Sequence, residues 1–208
     1  MFNFKKFQNR RGTSAARKAA QVVAAIGVAL ALSIDANAAE RSFDYRMLAT
    51  SKTSTMEKEL NEAAAAGYRF SKVMSGKVTN GGHVIIAMVK EPVGPGQEIR
   101  RYRLLATTRT STMQTEMQQL ADRGYSYLDH TIFEPATGGK EIAVIMELDS
   151  PKSERSRSSY RLLATTKTST MQKELQGAGT QGYALLGFAA GKTGAGGSEV
   201  IAILRKDK

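Results

Sequence analysis

The chain has 208 residues, 41% hydrophobic and 24% charged, which is the composition of a soluble globular protein of one or two domains. It contains no cysteine, so disulfides, thiolate metal sites, a cysteine nucleophile and a lipid on an N-terminal cysteine are excluded. The formal net charge is +11, but Lys5, Lys6, Arg10, Arg11, Arg17 and Lys18 against Asp35 account for +5 of it within residues 1–38, which leaves +6 for the remainder. That excess favours acidic partners in general without being a nucleic-acid signature.

Residues 1–38 read as a signal peptide. A basic stretch ends at Lys18, an apolar run extends from Val22 to Leu32, and Ala36-Asn37-Ala38 gives the small-x-small pattern of a cleavage site. The run is shorter than the roughly 20 residues a permanent span needs. Arg10-Arg11 is followed by Gly12-Thr13-Ser14, which lacks the apolar residues of a twin-arginine signal, so ordinary secretion is expected. No second long apolar segment follows. The expectation is cleavage near Ala38 and a soluble periplasmic or secreted product.

The rest of the chain repeats itself. Tyr45-Arg46-Met47-Leu48-Ala49-Thr50 recurs as Tyr102-Arg103-Leu104-Leu105-Ala106-Thr107 and as Tyr160-Arg161-Leu162-Leu163-Ala164-Thr165, at offsets of 57 and 58 residues. The match runs without a gap to Gly67-Tyr68, Gly124-Tyr125 and Gly182-Tyr183. Internal repetition at such a period marks an architecture of stacked or strung units. The units span 43–92, 100–149 and 158–208.

Each unit predicts the same elements in order. Tyr-Arg-Leu-Leu-Ala is a short, largely apolar strand, followed by a hydroxyl-rich loop. A helix comes next, with apolar residues at Met56, Leu60, Ala63 and Ala64; at Met113, Met117, Leu120 and Ala121; and at Met171, Leu175 and Ala178. That spacing is the stripe of a helix with one buried face. Ser54, Ser111 and Ser169 stand three residues before Glu57, Gln114 and Gln172, which predicts a capping box. Gly67, Gly124 and Gly182 predict the helix ends. Gly177 and Gly179 predict that the third helix is the weakest. A second strand opens at the Tyr after the glycine and leads through a Gly-rich turn at Asn80-Gly81-Gly82, at Thr137-Gly138-Gly139 or at 194–197. The third strands, Val84–Val89, Ile142–Met146 and Val200–Leu204, are nearly all apolar and are expected at the centre of their sheets.

The fold class is therefore α+β: three tandem βαββ repeats, each one helix on a three-stranded, mainly antiparallel sheet. Residues 91–96 and 150–159 read as linkers. A unit of about 50 residues buries a marginal core alone, so packing of units is favoured over independent beads. A pseudo-threefold assembly and one extended sheet are both open, and free strand edges invite pairing with a neighbour, including a homo-oligomer through sheet edges.

The opening aromatic Tyr45, Tyr102 and Tyr160, with the pairs Gly67-Tyr68, Gly124-Tyr125 and Gly182-Tyr183, resemble an uncharacterised family of short βαββ domains (domain of unknown function). This chain has Tyr where that family often has Trp, and Arg69, Ser126 and Ala184 where an acidic residue often follows. The resemblance implies a fold and no activity.

The loops between first strand and helix are the candidate binding sites: Lys52, Thr53 and Ser54; Arg109, Thr110 and Ser111; Lys167, Thr168 and Ser169. A basic side chain and hydroxyls at a helix N-terminus suit a phosphate, sulfate or carboxylate. The plainer reading is that Ser caps the helix and Thr suits a turn. Glu59, Glu116 and Glu174 recur one turn on and could pair with those cations, at about 0–1 kcal/mol each. No second acid recurs in all three units to make a catalytic pair. Gly187 to Thr193 is similar to a nucleotide-binding loop but is a residue short and precedes a strand, which predicts a hairpin. His83 and His130 sit at non-equivalent positions and do not make a metal site. The repeated tyrosines could stack sugars or bases; the expectation is that they pack on the helix with their hydroxyls in water. The expected function is a non-enzymatic interaction or scaffold module without cofactor or metal. The alternative is a binder of anionic glycan, phosphate or polyanion through the three loops.

Overall fold

The computed structural model describes residues 42–78, 81–90, 100–134, 140–149, 158–192 and 198–207. Residues 1–41, which include the segment read as a signal peptide, residues 91–99 and 150–157 around the expected linkers, and most of the three Gly-rich turns lie outside them. Glu40–Lys208 is a compact unit in its own right, and the buried hydrophobic clusters of the described residues fall inside it.

The element order is β1 (Asp44–Thr50), α1 (Thr53–Ala65), β2 (Arg69–Val78), β3 (Gly81–Lys90), β4 (Arg100–Thr107), α2 (Thr110–Ala121), β5 (Tyr125–Phe133), β6 (Glu141–Asp149), β7 (Ser158–Thr165), α3 (Thr168–Thr180), β8 (Ala184–Lys192) and β9 (Ser198–Asp207). Three antiparallel sheets result, ordered β1-β3-β2, β4-β6-β5 and β7-β9-β8. The apolar third strand is central in each, as its composition predicts. The helix stop also follows the sequence. Gly67, Gly124 and Gly182 take φ of 88°, 93° and 85°, which costs any residue with a Cβ about 1–2 kcal/mol. The N–H of the next residue then reaches back into the helix, as Tyr68 does to the Ala63 carbonyl at 3.0 Å.

The helix start differs from the sequence expectation. The capping box at Ser54, Ser111 and Ser169 does not form. The helices begin at Thr53, Thr110 and Thr168, and the N-cap positions are Lys52, Arg109 and Lys167, with no side-chain cap. Instead Thr50, Thr107 and Thr165 accept the N–H two residues on, at 3.1, 3.2 and 3.2 Å. This local turn holds the chain extended at the cap. Glu57 and Gln114 are thereby released for partners farther away.

The units are stacked, in neither a threefold cluster nor one extended sheet. α1 packs on β1 of its own unit and more extensively on β4 of the next; α2 does the same with β4 and β7. One core cluster joins Met56, Leu60, Ala63, Val84, Ile86 and Met88 to Tyr102, Leu104, Ala143 and Ile145 of the second unit. A second joins Met113, Met117, Ile142, Val144 and Met146 to Tyr160, Ile201 and Ile203 of the third. The middle sheet thus buries both faces. The face with Ile142, Val144 and Met146 meets its own helix, and the face with Ala143 and Ile145 meets the preceding unit. That is why Ile142–Met146 is buried at every position, whereas Val84–Met88 alternates. On the other side of the stack β2 packs on β5 and β5 on β8, sheet against sheet.

Candidate functional site

The joint between units is built twice with the same parts. Every second strand carries a β-bulge, between Phe70 and Lys72, Tyr127 and Asp129, and Leu185 and Gly187. A bulge breaks the ladder locally. The Phe70 N–H donates to the hydroxyl of Tyr102 at 3.0 Å, and the Tyr127 N–H to that of Tyr160 at 2.9 Å. Tyr102 and Tyr160 are 1% and 4% exposed, so their hydroxyls are not in water as the sequence suggested. Burial, the largest cause, raises the pKa of both.

Helix side chains satisfy the outer edge of the next unit's first strand. The Tyr102 N–H donates to Asn61 Oδ1 at 3.0 Å, and Asn61 Nδ2 donates to the Tyr102 carbonyl at 3.0 Å. The Leu104 N–H donates to Glu57 Oε2 at 2.9 Å, and Glu57 also meets Arg103 at 3.2 Å. In the next joint Gln118 takes the Tyr160 N–H at 3.0 Å and donates to the Ser158 carbonyl at 3.1 Å. Gln114 takes the Leu162 N–H at 2.9 Å. An edge that could have recruited another strand is thus covered by carboxylate and amide groups one helical turn apart.

The same parts stand unused at the two ends. At the head, no helix among the described residues precedes β1. Tyr45 is 65% and Met47 64% exposed, whereas the equivalent Tyr102 and Leu104 are 1% and 8%. Phe43 and Met74 lie exposed on the same face of the first sheet. At the tail, Leu175 is half-buried where Leu60 and Met117 are fully buried, and Gln172 and Gln176 project into solvent. Leu185 and Phe188, the counterparts of Phe70 and Val73, are also exposed. Among the described residues these end positions, Phe43, Tyr45, Met47, Met74, Leu185 and Phe188, make up all the exposed large hydrophobics.

The loops singled out in the sequence lie elsewhere. The pairs Glu57–Leu104 and Asn61–Tyr102 run α1 antiparallel to β4, and α2 follows the same register on β7. Lys52, Thr53 and Ser54 therefore lie beside Arg109, Thr110 and Ser111, and those beside Lys167, Thr168 and Ser169, along one edge of the stack. Lys52, Arg109 and Lys167 are exposed and form no ion pair among the described residues. Glu59, Glu116 and Glu174 do not pair with them. The acids and amides that act are two residues earlier, at Glu57 and Gln114. The signal that could have found them is the carboxamide or carboxylate pair at i and i+4, namely Glu57/Asn61, Gln114/Gln118 and Gln172/Gln176.

His130 lies at the joint between β5 and β8. Its Nδ1 is 2.8 Å from the Tyr127 hydroxyl, and a Cβ on Gly187 would stand 2.7 Å from its ring. Burial lowers its pKa, opposed by Asp129. His83 lines a separate shallow cleft with Ser75 and Phe133. No group of three His, Cys, Asp or Glu converges among the described residues, and no helix among them is long and apolar enough to cross a membrane. Ala184–Lys192 is a strand and the next described element is the strand Ser198–Asp207, so among the described residues no helix follows the Gly187 stretch to carry a nucleotide-binding loop. No protein-family model, curated protein or solved structure matches the chain.

Proposed function

We propose that this is an exported, non-enzymatic interaction module that works through the two ends of its stack. The carrying observation is the placement of exposed apolar surface. Stacked-repeat proteins ordinarily close their ends with polar outer faces. Here Tyr45, Met47 and Met74 at one end and Leu185 and Phe188 at the other remain exposed, while equivalent positions inside are covered. Exposed patches of this kind mark interaction surfaces. In this reading residues 1–38 direct export and are removed near Ala38.

The test is a photo-cross-linking residue placed in living cells at Met47, at Leu185 and, as a control, at the exposed Lys58 of α1. Adducts are expected at the first two positions and not at the third. Absence of adducts at both ends would refute the reading.

A second reading has one observation in its favour. The three basic N-caps share one edge of the stack, so a polyanion or acidic glycan could engage them together. A thermal-shift screen with sulfate, phosphate, acidic oligosaccharides and a polyanion at matched ionic strength tests it. A ligand at 100 times its dissociation constant stabilises by about 2.7 kcal/mol. The shift should vanish in Lys52→Ala/Arg109→Ala/Lys167→Ala; an equal shift in both proteins retires the site.

A further inference from the structure

From the twofold repetition of the joint we infer that the occupant of each end is a second copy of this chain, docked head to tail. This rests on the interaction-module reading and names its partner. The tail of one copy holds what the joint requires of a helix and bulge. Gln172 and Gln176 stand where Gln114 and Gln118 hold the edge of β7, and Leu175 where Met117 is buried. The Leu185 N–H stands where the Tyr127 N–H donates to Tyr160. The head of the next copy holds what the joint requires of a strand. Tyr45 matches Tyr160, Met47 matches Leu162, and both lie on the edge strand β1, which no preceding helix covers among the described residues.

The correspondence is closest to the second joint of the chain, where both helix partners are glutamines. A departure in bulk at the head is Lys72, which stands where the second joint has Gly187. Gly179 replaces Ala121 and leaves more room, with nothing within 4 Å of the place a Cβ would occupy. The Lys72 ammonium lies 4.0 Å from Asp129 of its own chain and its side chain is largely exposed, so its aliphatic stem is the part that would lie over Leu185 and Phe188 of the neighbouring copy. Within one chain α3 does not pack on β1, so the two faces are not used up by closure on themselves.

Such a contact is heterologous: each copy offers two different faces. It yields a closed ring where the rotation per chain closes and a polar filament where it does not. It also makes a prediction that no symmetric dimer shares. A head-blocked copy still has a working tail, and a tail-blocked copy a working head.

The experiment is sedimentation velocity on residues 39–208, the compact unit with its own core, across a wide concentration range. The expected result is concentration-dependent association of the wild type. Met47→Asp alone and Leu185→Asp alone should each weaken it at least about tenfold, as a charge buried in an apolar joint does. Their equimolar mixture should give a species of two chains and nothing larger. A wild type that stays at one-chain mass throughout, a mixture that does not pair, or pairing that persists in each variant alone overturns the proposal.

Unchanged circular dichroism and urea midpoints establish that the variants are folded. A second measurement needs neither of them. The chain has no native cysteine, so Tyr45→Cys/Leu185→Cys with a short bis-maleimide should give a ladder of chain multiples, while either single cysteine should give none. Absence of the ladder counts against the proposal. Adducts in cells to a different protein at both ends, with a monomeric chain in solution, would keep the interaction module and sink self-assembly; adducts to nothing would sink both.

Discussion

Removing one hydroxyl at three equivalent tyrosines should separate interior joints from the free end. Tyr102→Phe takes away the acceptor for the Phe70 N–H, at a position 1% exposed, and Tyr160→Phe does the same for Tyr127. Phenylalanine keeps the ring and its packing, so the cost is that of a part-buried donor left without a partner, about 1–3 kcal/mol. Tyr45 is 65% exposed and its hydroxyl meets no such donor, so Tyr45→Phe should stay within about 0.5 kcal/mol. The measurement is urea unfolding in a Leu185→Asp background, which keeps Tyr45 clear of a second copy. With a slope of about 2 kcal/mol/M, a loss of about 1.5 kcal/mol lowers the midpoint by roughly 0.7 M at unchanged slope. Equal losses at all three positions, or a loss at Tyr45 as large as at Tyr102, would refute the account of the joint. A changed slope would mean that units unfold separately, which stacked repeats do when a joint is weakened.

Other outcomes follow from the same structure. Asn61→Leu should destabilise by about 2–4 kcal/mol, because it strands both the N–H and the carbonyl of Tyr102, while Gln176→Leu should cost less than about 0.5 kcal/mol; the two are compared by urea midpoint in the same Leu185→Asp background. Leu60→Ala should cost about 2–5 kcal/mol and Leu175→Ala distinctly less, since only Leu60 is fully buried. Gly177→Ala should stabilise by about 0.5–1 kcal/mol, because the site is helical and a Cβ there meets nothing within 4 Å; thermal unfolding reads it. Burial depresses the His130 pKa below its ordinary 6.5, so the folded state holds this ring neutral. Its contribution is complete above about pH 6.5 and declines below it, where the unfolded chain takes up the proton first. Wild type should therefore lose more stability than His130→Gln between pH 7 and pH 5.5, and identical slopes would refute the assignment.

The repeat, the element order and the central third strand were legible because they rest on local signals: a motif recurring at fixed offset, a helical stripe, a run of apolar residues. The joint was not legible because its parts are polar residues with an equally good local reading. Ser54 followed by Glu57 looks like a capping box, and nothing within those four residues reveals that Glu57 reaches Leu104 at 2.9 Å. Tyr at a strand start looks like a ring on a helix, and the bulge that turns a free N–H toward it lies 32 residues away in the case of Phe70 and Tyr102. One clue to stacking was present. Ile142-Ala143-Val144-Ile145-Met146 has no polar face, and a strand without a polar face needs cover on both sides. One helix per unit supplies only one cover; the second comes from the preceding unit. The anionic-loop reading failed to anticipate its own geometry for a related reason: which edge the loops share is set by the antiparallel run of α1 on β4.

Because both joints are made by equivalent positions, the number of units is decoupled from the surface the protein shows. Deleting residues 100–157 would bring Tyr160 against the Phe70 N–H, Leu162 against Glu57, and Asn61 against the Tyr160 backbone, which are the pairings of the first joint with one partner renumbered. The shortened chain would keep the same β1 face and the same α3 face. Inserting a further copy would do likewise. Duplication and loss of a unit are thus close to silent in what they expose and change only the distance between the ends. Gene rearrangement could set that distance in steps of one layer without any new interface having to evolve.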